Sequence, residues 1–242
     1  MAESLAAIRE RIHERSSLAT ERTDEIVRVR FTRVPHRVAF ALARWPGLAS
    51  GRVLDVGSSY ATCLVHFGPD SLGVDNSPEA VEFARSIGLR AELVDVDEDS
   101  LDAIPDGAFD WLWISDILEH LEAPRLLLRR LRPKLREGGR VIVHTSVLPR
   151  NRVARALLRR AGRAPFDAHA HYHQFTVESM QHLLRRSGYR PVETAVPIPA
   201  KYARASGVLP AGIASRVMIA AVPDTELEDQ VTRTERKNKH LS

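Results

Sequence analysis

A doubly wound, mostly parallel α/β sheet is the fold that three observations in this 242-residue sequence predict. Short apolar runs of strand length recur with helical segments between them, the run at 53–56 ends on a glycine turn, and an acid, Asp75, closes the second run. Val53, Leu54 and Val56 make a strand buried on both faces, Gly57 lets the chain turn without a Cβ, and Ser58 to Ala61 are expected to open a helix. Asp75 follows Asp55 by twenty residues, close to the offset at which an acid reaches ribose hydroxyls in a βαβ nucleotide site. A pyrophosphate cofactor is not expected, because the turn reads Gly-Ser-Ser-Tyr-Ala-Thr and Tyr60 and Thr62 crowd the space that a glycine-rich loop would leave.

The remaining elements follow in order. The first 50 residues carry helical periodicity over 4–15 and 35–44 and are read as a helical cap. Strands are expected at about 52–56, 71–74, 91–94, 110–114 and 140–144. Between them Ser77-Pro78-Glu79 starts a helix with a capping hydroxyl and a first-turn proline, and Ala123-Pro124 starts another running to Leu135. Gly138-Gly139 leads into the fifth strand. The alternation then pauses over about 145–175, an interval long enough for a lid, whose Arg-rich stretch 151–163 reads as a surface helix. A further helix, capped by Thr176 with Ser179 where a capping box has Glu, spans 176–187 and stops at Gly188, with late strands near 192–196 and 216–221. The charged stretch 224–242 reads as a disordered tail.

Composition bounds the function. All but four of the 35 basic residues are arginines and the net charge is only +4, a coding bias rather than a nucleic-acid footprint. A single cysteine, Cys63, leaves no disulfide and no cysteine pair for structural zinc, and it is expected in the core of the first helix. The N-terminus is charged throughout and nothing approaches a span of about 20 apolar residues, so a soluble, cytoplasmic protein is expected.

VLDVGSSYA, GVDNSPEAVEFAR, LVDVDED and FDWLWISDILEHLEAP stand in this order along the chain, and the ordered set resembles the class I S-adenosylmethionine-dependent methyltransferases, in particular their small-molecule group. VLDVGSSYA stands for the first motif, GVDNSPEAVEFAR for the second, LVDVDED for the adenine turn and FDWLWISDILEHLEAP for the fourth strand and its loop. LRPKLREGGRVIVHT and HQFTVESMQHLLRRSGYRPVE continue the likeness, which covers roughly 51–193. The resemblance implies a Rossmann-like sheet of seven strands finished by an antiparallel hairpin. It implies S-adenosylmethionine as cofactor, with methyl transfer to oxygen or nitrogen of a sugar or natural-product intermediate. Its second and third motif glycines stand here as Ser59 and Ala61, small enough for close approach of the backbone.

Cofactor contacts are assigned to Asp55, Gly57, Ser58 and Ser59 at the methionyl part, Asp75 and Asn76 at the ribose, Asp95 and Val96 at the adenine, and Ser115 at the end of the fourth strand. Methyl transfer is an in-line displacement, so positioning carries most of it and a base is needed only for a hydroxyl acceptor. His120, which matches the family's Glu-His pair beside Asp116 and Glu119, is the candidate base. His169, His171 and His173 alternate, so in an extended segment they share a face, as metal ligands would. The chain lacks an obvious carboxylate placed to complete a facial triad, so no metal is assigned, and His173 is read as a substrate contact or second base. The expected partner is a small molecule, with no nucleic acid and no membrane, and a homodimer is the assembly considered. A non-catalytic binding or scaffolding protein of the same fold is the main alternative, suggested by the glycine-poor first motif, and an RNA methyltransferase is the weaker one.

Overall fold

The computed structural model describes residues 5–15, 20–162, 171–197 and 214–227. Seven strands form one sheet: β1 (Val53–Val56), β2 (Leu72–Asp75), β3 (Arg90–Leu93), β4 (Phe109–Ser115), β5 (Leu135–Ser146), β6 (Tyr189–Ala195) and β7 (Arg216–Pro223). Their spatial order is β3-β2-β1-β4-β5-β7-β6. The ladders from β3 through β5 are parallel, while β7 runs antiparallel to both β5 and β6. The order reverses between β1 and β4, and in an open α/β sheet a ligand crevice opens beyond the carboxyl ends of the strands at that reversal.

The pleat of β1 explains the two cores. Leu54 and Val56 join Leu112, Ile114, Val141 and Val143 on one face, covered by α5 (Pro124–Leu131) and α7 (Val177–Arg186). Val53 points to the other face, with Trp113, Ile142 and the Val38, Phe40 and Ala41 side chains of α3 (His36–Arg44). Asp55, two residues on, therefore projects toward α3 and not toward α5. Helix α4 (Pro78–Ser86) lies on the α3 side, and its Phe83, with Ile87, packs against Ile8 and Ile12 of α1 (Leu5–Arg15) and Ile26 and Val27 of α2 (Thr20–Arg30). Arg44 pairs with Glu193 of β6, whose other carboxylate oxygen accepts the Trp45 indole N–H at 3.1 Å, so α3 is pinned across the sheet.

The helix starts read from sequence are present. Ser77 Oγ accepts the Ala80 amide at 3.3 Å, and Thr176 and Ser179 form a reciprocal capping box in which the serine hydroxyl takes the place of the usual glutamate. The helix expected from Ser58 is absent. Gly57, Ser59 and Ala61 all have positive φ (71°, 48° and 58°), which breaks a right-handed helix every second residue, and the segment after them forms only one 3₁₀ turn (Leu64–His66). Cys63 is buried, as expected, but at the start of that turn. Helix α5 stops at Leu131, short of Leu135, because Pro133 has no N–H to donate back along the helix and the chain tightens into a 3₁₀ turn (Arg132–Lys134), and β5 starts at Leu135 and not at Arg140. Helix α2 carries only Ile26 and Val27 as buried apolar side chains, too few for a readable period. Helix α6 (Arg152–Arg160) lies within the Arg-rich stretch and buries no residue. The tail beyond 227, residues 163–170 of the expected lid and His169 lie outside the described residues.

Candidate active site

A cleft of about 530 Å³ opens at the carboxyl edge of β1 to β4, lined by Gly57, Asp75, Asn76, Asp95 and Val96 at one end and by Asp116, Ile117, His120 and Tyr172 at the other. Asp97, Glu98 and Glu122 add three further carboxylates to its wall, and among the described residues no Lys or Arg lines it. The field inside is therefore negative, which attracts a cation and repels a phosphate.

At the first end, Asp75 is held from two sides. One carboxylate oxygen accepts the Ser59 amide at 2.7 Å and the other the Ser77 amide at 3.0 Å, so the turn after β1 and the start of α4 both fix its orientation. Asp95 accepts the Asp97 amide at 3.0 Å, receives Asn76 Nδ2 at 3.4 Å, and donates its own amide to Asp99 at 2.7 Å. Asp97 in turn accepts the Glu122 amide at 3.1 Å, which ties this acidic turn to the chain after β4. The amides of Gly57 and Ser58 both donate to the Val74 carbonyl (2.9 and 3.0 Å), so they lock β1 to β2 and do not face the cleft as open donors. A Cβ at Gly57 would meet the tip of the Ile117 side chain, which can turn away, so it is the positive φ that calls for glycine there.

Three of the expected cofactor residues are not among those that line the cleft. Ser58 is buried and packs against Gly73, where an added Cβ would lie 2.7 Å from its hydroxyl. Ser59 contributes its amide to Asp75. Asp55 is buried, takes a hydrogen bond from the Leu64 amide, and leaves Oδ2 without a partner. Burial pushes its carboxyl up to about 7, against the pull of Arg37 and with a further push from Asp75. Arg37, which sequence reading missed, reaches from α3 into range of Asp55, Asp116 and Cys63, and its Nε is buried without a partner. The Cys63 thiol beside it is pushed up to about 12, first by burial and then by Asp55, so it is an uncharged neighbour.

The other end is built on β4 and β5. Burial alone would raise the Asp116 carboxyl, but a hydrogen bond from His144 and the Arg216 and Arg37 guanidinium groups hold it well below the usual carboxylate range. His144 Nδ1 stands 3.2 Å from Asp116 and 3.1 Å from Ser115 Oγ, and Arg216 Nη1 donates to Asp116 at 2.6 Å. Ser115 is thus part of the support under Asp116 and does not line the cleft. Asp116 adopts φ 55°, which aspartate tolerates better than most residues. His144 was legible only through pairing, as the β5 residue in register with Ser115.

His120 lines the cleft, and its ring meets that of His171 edge-on at 4.7 Å. The His173 amide donates to the Glu119 carbonyl at 3.1 Å, its ring stacks on Phe175 at 5.7 Å, and its Nε2 is buried without a partner. His173 therefore anchors the loop beneath the cleft and does not line it.

A family model described as a methyltransferase domain matches residues 26–194. A ubiquinone biosynthesis O-methyltransferase of Xanthomonas oryzae pv. oryzae is 33% identical over 118 residues, 46% of this chain and 49% of that protein. Its counterpart in Pectobacterium atrosepticum is 29% identical over the same length and shares. The chain spans about half the length of the curated relatives it matches. Among solved structures, the 1,6-didemethyltoxoflavin-N1-methyltransferase of Burkholderia thailandensis, with 1,6-didemethyltoxoflavin and S-adenosylhomocysteine bound, aligns at TM-score 0.54 and 21% identity over 84% of this chain and 87% of that one. An S-adenosylmethionine-dependent methyltransferase of Mesorhizobium loti aligns at TM-score 0.52 and 20% identity over 74% and 97%. At these identities the structures speak for the fold. No helix among the described residues is long and apolar enough to cross a membrane.

Proposed function

We propose, for a chain that belongs to the methyltransferase-domain family, that it moves the methyl group of S-adenosylmethionine to an oxygen of a small molecule. It is an enzyme, and the observation that carries the reading is the cleft wall: acids at every turn and, among the described residues, no Lys or Arg, a lining suited to a sulfonium and ill suited to a phosphate-bearing cofactor or a nucleic-acid backbone. Asp75, pre-oriented by two amides, keeps lone pairs for the ribose hydroxyls, with Asn76 beside it and Asp95 and Val96 at the adenine. Asp55 and Arg37 each hold a buried polar atom without a protein partner, one an acceptor and one a cationic donor, which is the pair an amino-acid head group satisfies.

When bound, the cofactor supplies an electrophilic methyl group: the acceptor oxygen forms the new C–O bond, the S–C bond breaks, and its electrons leave on a neutral thioether. The chain's part is to align the acceptor, exclude water and take up the hydroxyl proton. His120, which lines the cleft, is read as the residue that acts on that hydroxyl. The names of the Xanthomonas and Pectobacterium relatives support oxygen over nitrogen. The N-terminal helices serve as a cap through Arg37, and the 145–175 segment serves as a lid through Tyr172, which lines the cleft while 70% exposed.

Calorimetric titration with S-adenosylmethionine and S-adenosylhomocysteine tests the reading. Micromolar binding that weakens at least about a hundredfold in Asp75→Ala is expected, the loss of two charge-assisted hydrogen bonds being worth roughly 3 kcal/mol. Asp75→Asn keeps an oxygen for one loop amide and separates the ribose contact from loop support. Wild-type protein that binds neither compound, or an Asp75→Ala variant that binds both unchanged, would overturn it.

A further inference from the structure

We infer that Glu119, His120 and His171 form a binding site for one divalent cation at the acceptor end of the cleft. One ligating atom from each lies within 4.8 Å of the others, two imidazoles and a carboxylate on one side of a space that His120 shares with the cleft. The alternating histidines are plain in the sequence but the acid is not; the fold supplies it from the 3₁₀ turn after β4, more than fifty residues before His171.

Three observations make this a built site. Glu119 is 1% exposed, and only its Oε1 is engaged, by Ser146 N and Oγ at 3.4 Å each; Oε2 is buried with no hydrogen-bond partner. An ionised carboxylate oxygen left so in a dry site is costly, and a cation removes the cost. The His173 amide on the Glu119 carbonyl (3.1 Å) ties the loop that carries His171 to the turn that carries Glu119 and His120, and the Leu148 amide on the Phe175 carbonyl (2.7 Å) ties the same loop to the chain after β5. Ligand atoms on a tetrahedral zinc stand roughly 3.4 Å apart, and the 4.8 Å limit on these three keeps them close to that spacing. Two nitrogens and one oxygen select a borderline ion of the Zn²⁺, Mn²⁺ or Co²⁺ type over Mg²⁺ or Ca²⁺, and a three-residue set leaves positions open.

The use of the site rests on the methyl-transfer reading; the binding does not. An acceptor hydroxyl on an open position is polarised and loses its proton at neutral pH, so the cation activates the oxygen and His120 acts as its ligand. The proton passes to solvent or to a neighbouring base, and no redox change is involved.

The experiment is titration of untagged, chelator-treated protein with Co²⁺, followed by its visible d–d bands, beside calorimetry with S-adenosylhomocysteine. One Co²⁺ per chain is expected, displaced by Zn²⁺, with affinity at least tenfold weaker in His171→Ala and in Glu119→Gln and unchanged in His182→Ala, an exposed histidine of α7 outside the site. Glu119 is buried, so loss of binding in its variant is open to a folding defect, whereas His171 sits on the surface loop and its result decides. Cofactor-product binding unchanged in His171→Ala shows that the cleft is intact. Absence of Co²⁺ binding, or binding equal in all variants, overturns the metal site while leaving methyl transfer standing; loss of S-adenosylhomocysteine binding in the wild type overturns methyl transfer while leaving the metal result readable.

Discussion

The ends of β1 and β4 lie side by side in the sheet and each presents one aspartate near Arg37, yet the two carboxyls are driven in opposite directions. Asp55 is buried with one amide and an unpartnered oxygen, and burial pushes it up to about 7. Asp116 meets His144 and Arg216 as well as Arg37, and these hold it well below the usual carboxylate range in spite of its burial. Desolvation acts on both; direct partners decide the sign. The β4 end is thus a finished ion network that supports the cleft wall, and the β1 end is an unfinished one that a ligand head group completes.

Breaking the finished network has the larger effect. Asp116→Ala leaves Arg216 and His144 without their carboxylate and removes a cleft residue, and roughly 3 kcal/mol of stability is expected to go, read as a lower midpoint in urea with an unchanged slope. A midpoint within error of wild type would show that Arg216 and His144 find solvent without cost. Asp116 contributes stability at every pH above the unfolded carboxylate value and loses it only in strong acid, so the gap between variant and wild type stays level from about pH 5 to about pH 8.

The β1 end gives the opposite slope. The Asp55 carboxyl is raised on folding, so the native state holds a proton that the unfolded chain has released, and stability falls as pH rises from about 4 to about 7. Asp55→Asn removes that charge. It should match wild type near pH 4, where Asp55 is largely protonated in both states, and exceed it increasingly up to about pH 7, by at most roughly 4 kcal/mol, the pull of Arg37 being already contained in that rise. The same variant weakens cofactor binding, because an amide is a poorer acceptor for an ammonium group. Thermal midpoints across that range check the first outcome. A difference that is level with pH would place the Asp55 charge in a better-solvated setting than its burial indicates.

Legibility in the sequence divides along the same line. Strands, helix caps and the Asp75 offset depend on residues close in sequence, where apolar runs and capping hydroxyls act locally, and these are where the fold has them. Arg37, His144 and Arg216 enter through packing between distant elements, and nothing in their neighbours marks them. Glu119 was visible but mute: its role depends on a loop that returns more than fifty residues later. The helix after Gly57 failed for a subtler reason. Small residues at 59 and 61 read as room for a ligand, but what the turn demands of them is a left-handed backbone.

That demand yields the smallest and cleanest test. Ser59 and Ala61 stand where the family has glycine, and both keep the glycine conformation at φ 48° and 58°. For an L-residue this costs about 1–2 kcal/mol, while glycine at the same position loses roughly 0.5–1 kcal/mol more chain entropy on folding. Ser59→Gly is exposed and keeps its amide for Asp75, so a net gain of about 0.5 kcal/mol in stability is expected, with cofactor binding unchanged. Ala61 is fully buried among the α3-side apolar residues, and deleting its methyl forfeits about 0.8 kcal/mol of burial, which cancels the relief. A gain at 59 with none at 61 would show that the β1 turn carries backbone strain that the β4 turn avoids by placing an aspartate at its own left-handed position; equal losses at both would mean that the side chains, and not the backbone, set the shape of the turn.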